Sequence, residues 1–217
     1  MNPVTLQWAT PQGDAMIAEM ARVSNPANQY NTETAGRLIA YCIRNQHWSI
    51  FEMANMCVQI DTTRDIARQI LRHKGLSVQE FSQRYADAIV LPPAEVREAR
   101  LQDPKNRQSS TPTDDARLQV QWADRQHALR RAADEHYQWA VNHGIAKEVA
   151  RTVLPEGLTP TRLYVNSNLR SWIHYCKLRM GNGTQKEHAD IARDCFDLLC
   201  LEFPTVGKAL AQLPKQQ

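Results

Sequence analysis

Apolar residues alternate with polar ones in four short stretches of the chain, and recur at three- and four-residue intervals through most of the rest. In VTLQWAT, Val4, Leu6 and Trp8 fall on every second position, the period of a half-buried strand. FEMANMCVQI repeats the pattern with Ala54, Met56, Val58 and Ile60. FSQRYADAIVL and TPTRLYVNS read the same way, the former stopped by Pro92 and Pro93. Helical spacing predicts a segment over DAMIAEMARVS (Met16, Ile17, Met20, Val23) and another from Thr32 to about Asn45, burying Leu38, Ile39, Cys42 and Ile43. TTRDIARQILRH places Ile66, Ala67, Ile70 and Leu71 on one face and Arg64, Arg68 and Arg72 on another, with Gly75 where a helix C-cap is expected. A long helix is predicted from about Asp114 to His143 and a shorter one before Pro155. NLRSWIHYCKLR and TQKEHADIARDCFDLLCLEF complete the helical part.

Short strands mixed with long helices, without regular βαβ alternation, predict an α+β fold: a mixed short-stranded sheet packed with long helices. The 217 residues suit one domain, 1–217, with an irregular loop at about 92–113, where DPKNRQSSTPTDD has loop composition and is expected to be the most mobile part. Hydrophobic residues make up 42%, enough for a substantial core. Lys+Arg 26 against Asp+Glu 23 leaves +3, too little for bulk charge to imply a nucleic-acid partner. No apolar run approaches membrane-spanning length, and MNPVTLQWATPQGDAM has neither the basic start nor the apolar centre of a signal segment. Cys42, Cys57, Cys176, Cys195 and Cys200 form no CxxC pair and sit among apolar neighbours, so reduced core thiols, no metal site and a cytoplasmic location are expected.

The densest chemistry lies in RHKGLSVQEFSQRY, residues 72–85. Arg72, His73 and Lys74 have a structural reading as cations in a last helical turn, where the macrodipole favours each by about 0.3–1 kcal/mol. On a strand, Glu80, Ser82 and Arg84 would share one face, and Phe81, Gln83 and Tyr85 the other. An acceptor, a hydroxyl and a bidentate cation in series suit a phosphate, a sugar hydroxyl and a planar polar base. Ser82 has no histidine placed beside it by sequence, so it reads as a hydrogen-bond donor rather than a nucleophile.

RHKGLSVQEFSQRY resembles the signature of flavin-dependent thymidylate synthases, an Arg-His-Arg cluster followed by a Glu-x-Ser-x-Arg-Tyr run. HWSIFE, ARTVLP, NLRSWIHYCKLR and TQKEHADIA resemble further blocks of that family in the same order, from about Trp48 to Ile191. The resemblance implies reductive methylation of dUMP to dTMP, with FAD as cofactor and methylenetetrahydrofolate and NADPH as cosubstrates. It also implies a homotetramer with sites at subunit interfaces, and neither a nucleic-acid nor a membrane partner. It assigns His47, Ser49, Glu52, Arg72, His73, Lys74, Asn168, Arg170 and His174 to the flavin. To dUMP it assigns Gln69, Glu80, Ser82, Gln83, Arg84, Arg151 and Arg179, with Arg179 as the catalytic cation on the uracil carbonyl.

Two positions depart from the family pattern. Lys74 stands where an arginine usually ends the cluster, replacing a planar fork by a point charge. Gln83 stands where a small residue is common. Both leave open a scaffold that modifies a different pyrimidine nucleotide, or transfers a hydroxymethyl group. A more distant alternative reads Arg64, Arg68 and Arg72, at i, i+4 and i+8, as a nucleic-acid-binding helix.

Overall fold

The computed structural model describes residues 3–181 and 183–213. Its centre is a pair of nine-residue antiparallel strands, β2 (Asn55–Thr63) and β6 (Pro160–Asn168), in register from Asn55↔Asn168 to Thr63↔Pro160. Two shorter strands flank them, β1 (Val4–Ala9) and β3 (Ser77–Glu80), giving a four-stranded sheet in the order β1-β2-β6-β3, antiparallel throughout. The alternation read from FEMANMCVQI is real but begins later: Ser49–Glu52 form a 3-10 turn, and the strand starts at Asn55.

Met56, Val58, Ile60, Leu163 and Val165 point to the same side of the sheet and are wholly buried. That side is covered by α1 (Gly13–Ala21), α2 (Ala35–Arg44), α6 (Leu169–Arg179), α7 (Lys186–Glu202) and α8 (Pro204–Ala211), which supply Ile17, Ile39, Ile43, Trp172, Cys195, Leu199 and Val206 to one core. Trp172 satisfies its indole inside that core by donating to the Met56 carbonyl at 2.9 Å. The opposite side of the sheet is polar: Arg162 forms a bidentate pair with Asp61 at 2.6 and 2.9 Å.

A satellite core of Ala88, Tyr137, Ala140 and Ala150 joins the 81–93 segment to α4 (Ala116–Asn142) and the short α5 (Lys147–Ala150). The 92–113 segment carries regular structure: β4 (Arg100–Gln102) and β5 (Ser110–Pro112) form a hairpin. Asp103 stabilises its turn by accepting from the backbone of Lys105 and Asn106, and Gln119 and Gln126 of α4 bind the backbone of Ala99 and Arg97. All five cysteines are free. Among the described residues no helix is long and apolar enough to cross a membrane.

The corner between α7 and α8 is tied to α1. Asp14 accepts from the backbone N–H groups of Thr205 and Val206, capping α8 from another helix. A Cβ on the adjacent Gly13 would fall within the ring of Phe203, which is fully buried. Gly13→Ala is therefore expected to destabilise the protein by about 1–3 kcal/mol through overpacking. A thermal melt checks this; an unchanged midpoint would mean that the Phe203 ring moves aside freely.

Candidate functional site

β2 and β6 each run straight into a helix, and they do so at opposite ends of the ladder. Thr63 leads into α3 (Arg64–Ile70), and Asn168 leads into α6. After α3 the chain must return to start β3 opposite Asn166, so the turn holding Arg72, His73 and Lys74 lies against the beginning of α6. Two contacts seal that approach. Ser167 Oγ donates to the Gly75 carbonyl, and a Cβ at Gly75 would sit 2.8 Å from Ser171 Oγ. Gly75 is thus a close-packing residue rather than the helix cap expected from sequence. The helix ends at Ile70, so Arg72, His73 and Lys74 follow it and lie outside its last turn.

Along α6, Ser171, Tyr175 and Arg179 at i, i+4 and i+8 face this turn. Arg179 Nε donates to His73 Nε2 at 2.7 Å, and the His73 ring stands edge-on to Tyr175 with centroids 4.9 Å apart. Burial, then the charges of Arg179 and His174, push the His73 pKa down to about 4, so the ring is neutral and can accept from the guanidinium. Apart from His73, Arg179 has no hydrogen-bond or ion-pair partner among the described residues. The side chains of Arg72, Lys74 and Arg151 have none either, whereas Arg64 pairs with Glu80 at 3.1 Å and Arg68 pairs with Glu156. The arginines spaced for a nucleic-acid-binding stripe are therefore two neutralised cations and one that lies past the helix end.

Another stripe of α6 faces the 3-10 turn. Arg170 pairs with Glu52, and Lys177 lies 5.2 Å from the centre of the Trp48 ring. His174, one turn beyond Arg170, is exposed. Gln46 takes the left-handed conformation (φ 57°), turning the chain so that His47 and Ser49 emerge at the surface; the His47 ring lies edge-on to Tyr41. Asn168 uses its side chain as the N-cap of α6, accepting from Ser171 N at 2.9 Å. Thus Arg170 ties one face of α6 to Glu52 of the 3-10 turn, with His47, Ser49 and His174 exposed, while another face carries Arg179 against His73 of the 72–75 turn.

The residues after Glu80 do not continue as a strand. β3 ends at Glu80, and one further ladder bond, Phe81 N to Arg162 O, is the last before the chain turns. The Ser82 carbonyl accepts from the backbone of both Tyr85 and Ala86. Glu80, Ser82 and Arg84 therefore do not share a strand face. Glu80 turns inward to Arg64 and the Thr161 hydroxyl (3.0 Å), Ser82 is exposed, and Arg84 reaches Glu148 of α5 at 3.5 Å. Gln83 is buried, and its Nε2 has no hydrogen-bond partner. No hydrogen bond or ion pair joins these residues or Arg151 to Arg179 among the described residues.

Gln69 is joined to Arg179's neighbourhood through residues that sequence reasoning missed. His188 Nδ1 is 3.1 Å from Gln69 Oε1, and its Nε2 is 3.1 Å from the Tyr175 hydroxyl. Gln69 also donates to Gln185 at 2.8 Å. Gln185 donates to Glu187 at 2.9 Å, and Arg100 of the hairpin donates to Glu187 at 2.6 Å. A signal for His188 was present: it extends the apolar stripe Ile191, Ala192, Cys195 and Leu199 of α7 by one turn, which marks a histidine that faces inward.

Comparison with known proteins gives one consistent result. The family model described as thymidylate synthase complementing protein matches residues 5–205. A probable flavin-dependent thymidylate synthase of Paramecium bursaria Chlorella virus 1 is 49% identical over 91% of this chain and 90% of the relative. A flavin-dependent thymidylate synthase of Synechocystis is 46% identical over 93% of this chain and 90% of its own. Among solved structures, the UMP/dUMP methylase PolB from Streptomyces cacaoi, bound with 5-Br dUMP, superposes with a TM-score of 0.81 at 27% identity, covering 98% of this chain and 95% of that one.

The two imidazoles beneath Arg179 have a pH signature. Burial followed by the charges of Arg179 and His73 lowers the His188 pKa to about 4 as well. A histidine whose folded pKa lies below its ordinary 6.5 binds more protons when unfolded, so stability falls as pH drops from 6.5 towards 4. Urea midpoints at about pH 7 and about pH 5 are expected to show this loss, smaller in His188→Asn than in the wild type. Equal losses in the two proteins would show that His188 titrates normally.

Proposed function

We infer the function of this chain from one premise: it belongs to the flavin-dependent thymidylate synthase family. It reductively methylates dUMP to dTMP, taking the carbon from methylenetetrahydrofolate and the electrons from NADPH, with tetrahydrofolate and NADP+ released. The observation that carries this reading is Arg179: a guanidinium held at one end by a neutral imidazole, with no carboxylate paired to it or to the neighbouring Arg72 and Lys74 among the described residues.

The donor set suits FAD. Arg72 and Lys74 are exposed cations without a side-chain partner among the described residues, as a pyrophosphate requires, and His47, Ser49, Glu52, Asn168, Arg170 and His174 offer the adjoining surface for the ring system. When bound, FAD supplies the hydride chemistry that no side chain can perform. Arg179 then has the role of stabilising the negative charge that develops on the uracil as C5 becomes nucleophilic. His73 keeps that guanidinium aimed without neutralising it. Gln69, Glu80, Ser82, Gln83, Arg84 and Arg151 are assigned to the nucleotide, and the unpartnered buried Nε2 of Gln83 supports a ligand acceptor there.

Because no hydrogen bond or ion pair among the described residues joins Arg151 or the 82–84 turn to Arg179, the site is best completed by another copy, in a homotetramer with shared active sites. The protein then works in the cytoplasm on small anionic substrates. Mass analysis of the product formed from dUMP, UMP and dCMP, offered in parallel with FAD, NADPH and the folate, tests the assignment. Methylation of dUMP is the expected result; a hydroxymethylated or ribonucleotide product as the principal one would overturn it.

Arg179→Ala is expected to lower kcat by about 100-fold or more, the scale seen when a charge-stabilising donor is lost, with the flavin absorbance of the purified protein unchanged. Loss of the flavin would reassign Arg179 to the cofactor. Lys74→Arg is expected to bind FAD as tightly or more tightly, measured by flavin fluorescence quenching, because a fork replaces a point charge. Markedly weaker binding would show a pocket adapted to lysine.

A further inference from the structure

Gln69 ends in an amide whose two faces are chemically opposite, and a ligand beside it meets either a donor or an acceptor according to which way the amide is turned. The hydrogen bonds around it leave no choice, and the polarity is set at the far end of a half-buried chain. Glu187 is an acceptor only: the Arg100 guanidinium, which reaches it at 2.6 Å, holds its carboxyl ionised against the opposing effect of burial. Gln185 must therefore turn its Nε2 towards Glu187, which leaves its Oε1 facing Gln69. Gln69 in turn must present Nε2 to Gln185, leaving its own Oε1 facing His188 Nδ1. An amide oxygen can only accept, so Nδ1 carries the hydrogen. Nε2 of the neutral ring then accepts from the Tyr175 hydroxyl, which burial keeps protonated. Every donor from Arg100 to Tyr175 meets an acceptor, and reversing any one member places like against like.

His188 has no exposed surface, and none of the roles assigned to the nucleotide or the flavin uses it. Its place at the inner end of the chain gives it one function that apolar packing would not need. We propose that His188, backed by Tyr175, is a positioning residue for the nucleotide: by donating to Oε1 it holds the Gln69 amide in the sense that Glu187 sets, leaving one N–H for an acceptor oxygen of the pyrimidine nucleotide. This inference rests on the reading of Gln69 as a nucleotide contact. It accounts for a histidine and a phenol buried where Ile191, Ala192 and Cys195 continue the face of α7 in hydrocarbon and thiol.

The test uses flavin-loaded protein and dUMP, with dissociation constants from calorimetry and KM from steady-state turnover. His188→Asn retains an N–H near the position of Nδ1, whereas His188→Leu removes it. Tyr175→Phe leaves the imidazole but removes the hydroxyl that donates to its Nε2. The loss of one oriented hydrogen bond predicts dUMP binding weaker by about tenfold in His188→Leu and about threefold in Tyr175→Phe, with His188→Asn within about twofold of wild type. Flavin content is expected to stay constant across the three. In a double-mutant cycle, Gln69→Ala should add nothing in the His188→Leu background, because the two residues act through one contact. Equal dUMP binding in the Leu and Asn variants, or losses from Gln69→Ala and His188→Leu that multiply, would overturn the proposal while the functional reading stands. Failure of the wild type to bind dUMP would overturn the functional reading, and this inference with it.

Discussion

The β2–β6 ladder is the constraint from which the rest of the molecule follows. Nine paired residues fix Asn55 opposite Asn168 and Thr63 opposite Pro160, and neither strand has a linker before the next helix. α3 and α6 must therefore start from opposite ends of one rigid pair. β3 can join the sheet only on the free edge of β6, so the turn between α3 and β3 is delivered to the head of α6. A slip of one residue in this register would reverse which side of the sheet Met56, Val58 and Ile60 occupy, so the buried face enforces the alignment that brings His73 to Arg179.

α6 then serves several surfaces at once. Trp172, Ile173 and Cys176 anchor it in the core, Arg170 and Lys177 meet the 3-10 turn, and Ser171, Tyr175 and Arg179 meet the 72–75 turn. An eleven-residue helix can do this because its faces are separated by rotation rather than by length. The cost is two imidazoles and a phenol held in a poorly solvated space. The directional hydrogen bonds of the Tyr175–His188–Gln69 chain offset that cost by leaving none of its members unpartnered.

Much of this was legible in the pattern of apolar positions. The strands at 4–9 and 160–168, the helix at 116–142 and the core face of β2 all follow periods that burial enforces. The strand read at 81–91 failed for a physical reason. Phe81, Gln83 and Tyr85 carry a period of two, but β6 begins at Pro160 and offers little ladder beyond Glu80↔Leu163, so the chain closes a turn at Ser82 instead. Alternation without a partner strand is not a strand. The Gly75 misreading has the same origin: a glycine after a helix suggests a cap, while the reason for this one lies 96 residues away at Ser171. The motif blocks nominated the candidate residues, but only tertiary structure shows that Asn168 is occupied as a helix cap and that Glu80 faces Arg64. His188 escaped because a residue that completes an apolar stripe looks like core until its two partners are seen.

The distribution of ion pairs carries the last step. Asp61, Asp65, Glu80, Glu156 and Glu187 neutralise Arg162, Arg97, Arg64, Arg68 and Arg100, all at places where two elements must be held together. Arg72, Lys74 and Arg151 have no such carboxylate among the described residues, though acidic side chains are abundant. An exposed cation loses little by staying solvated, and a phosphate that reaches it displaces water rather than a competing carboxylate. The placing of these cations in the 72–75 turn and at the end of α5 is therefore more informative than the total charge of +3. Lys74 sharpens the point. As a compact ammonium on a flexible stem it tolerates several ligand geometries, where an arginine fork would demand one. Gln69 is the opposite case, an amide held on both sides by Gln185 and His188.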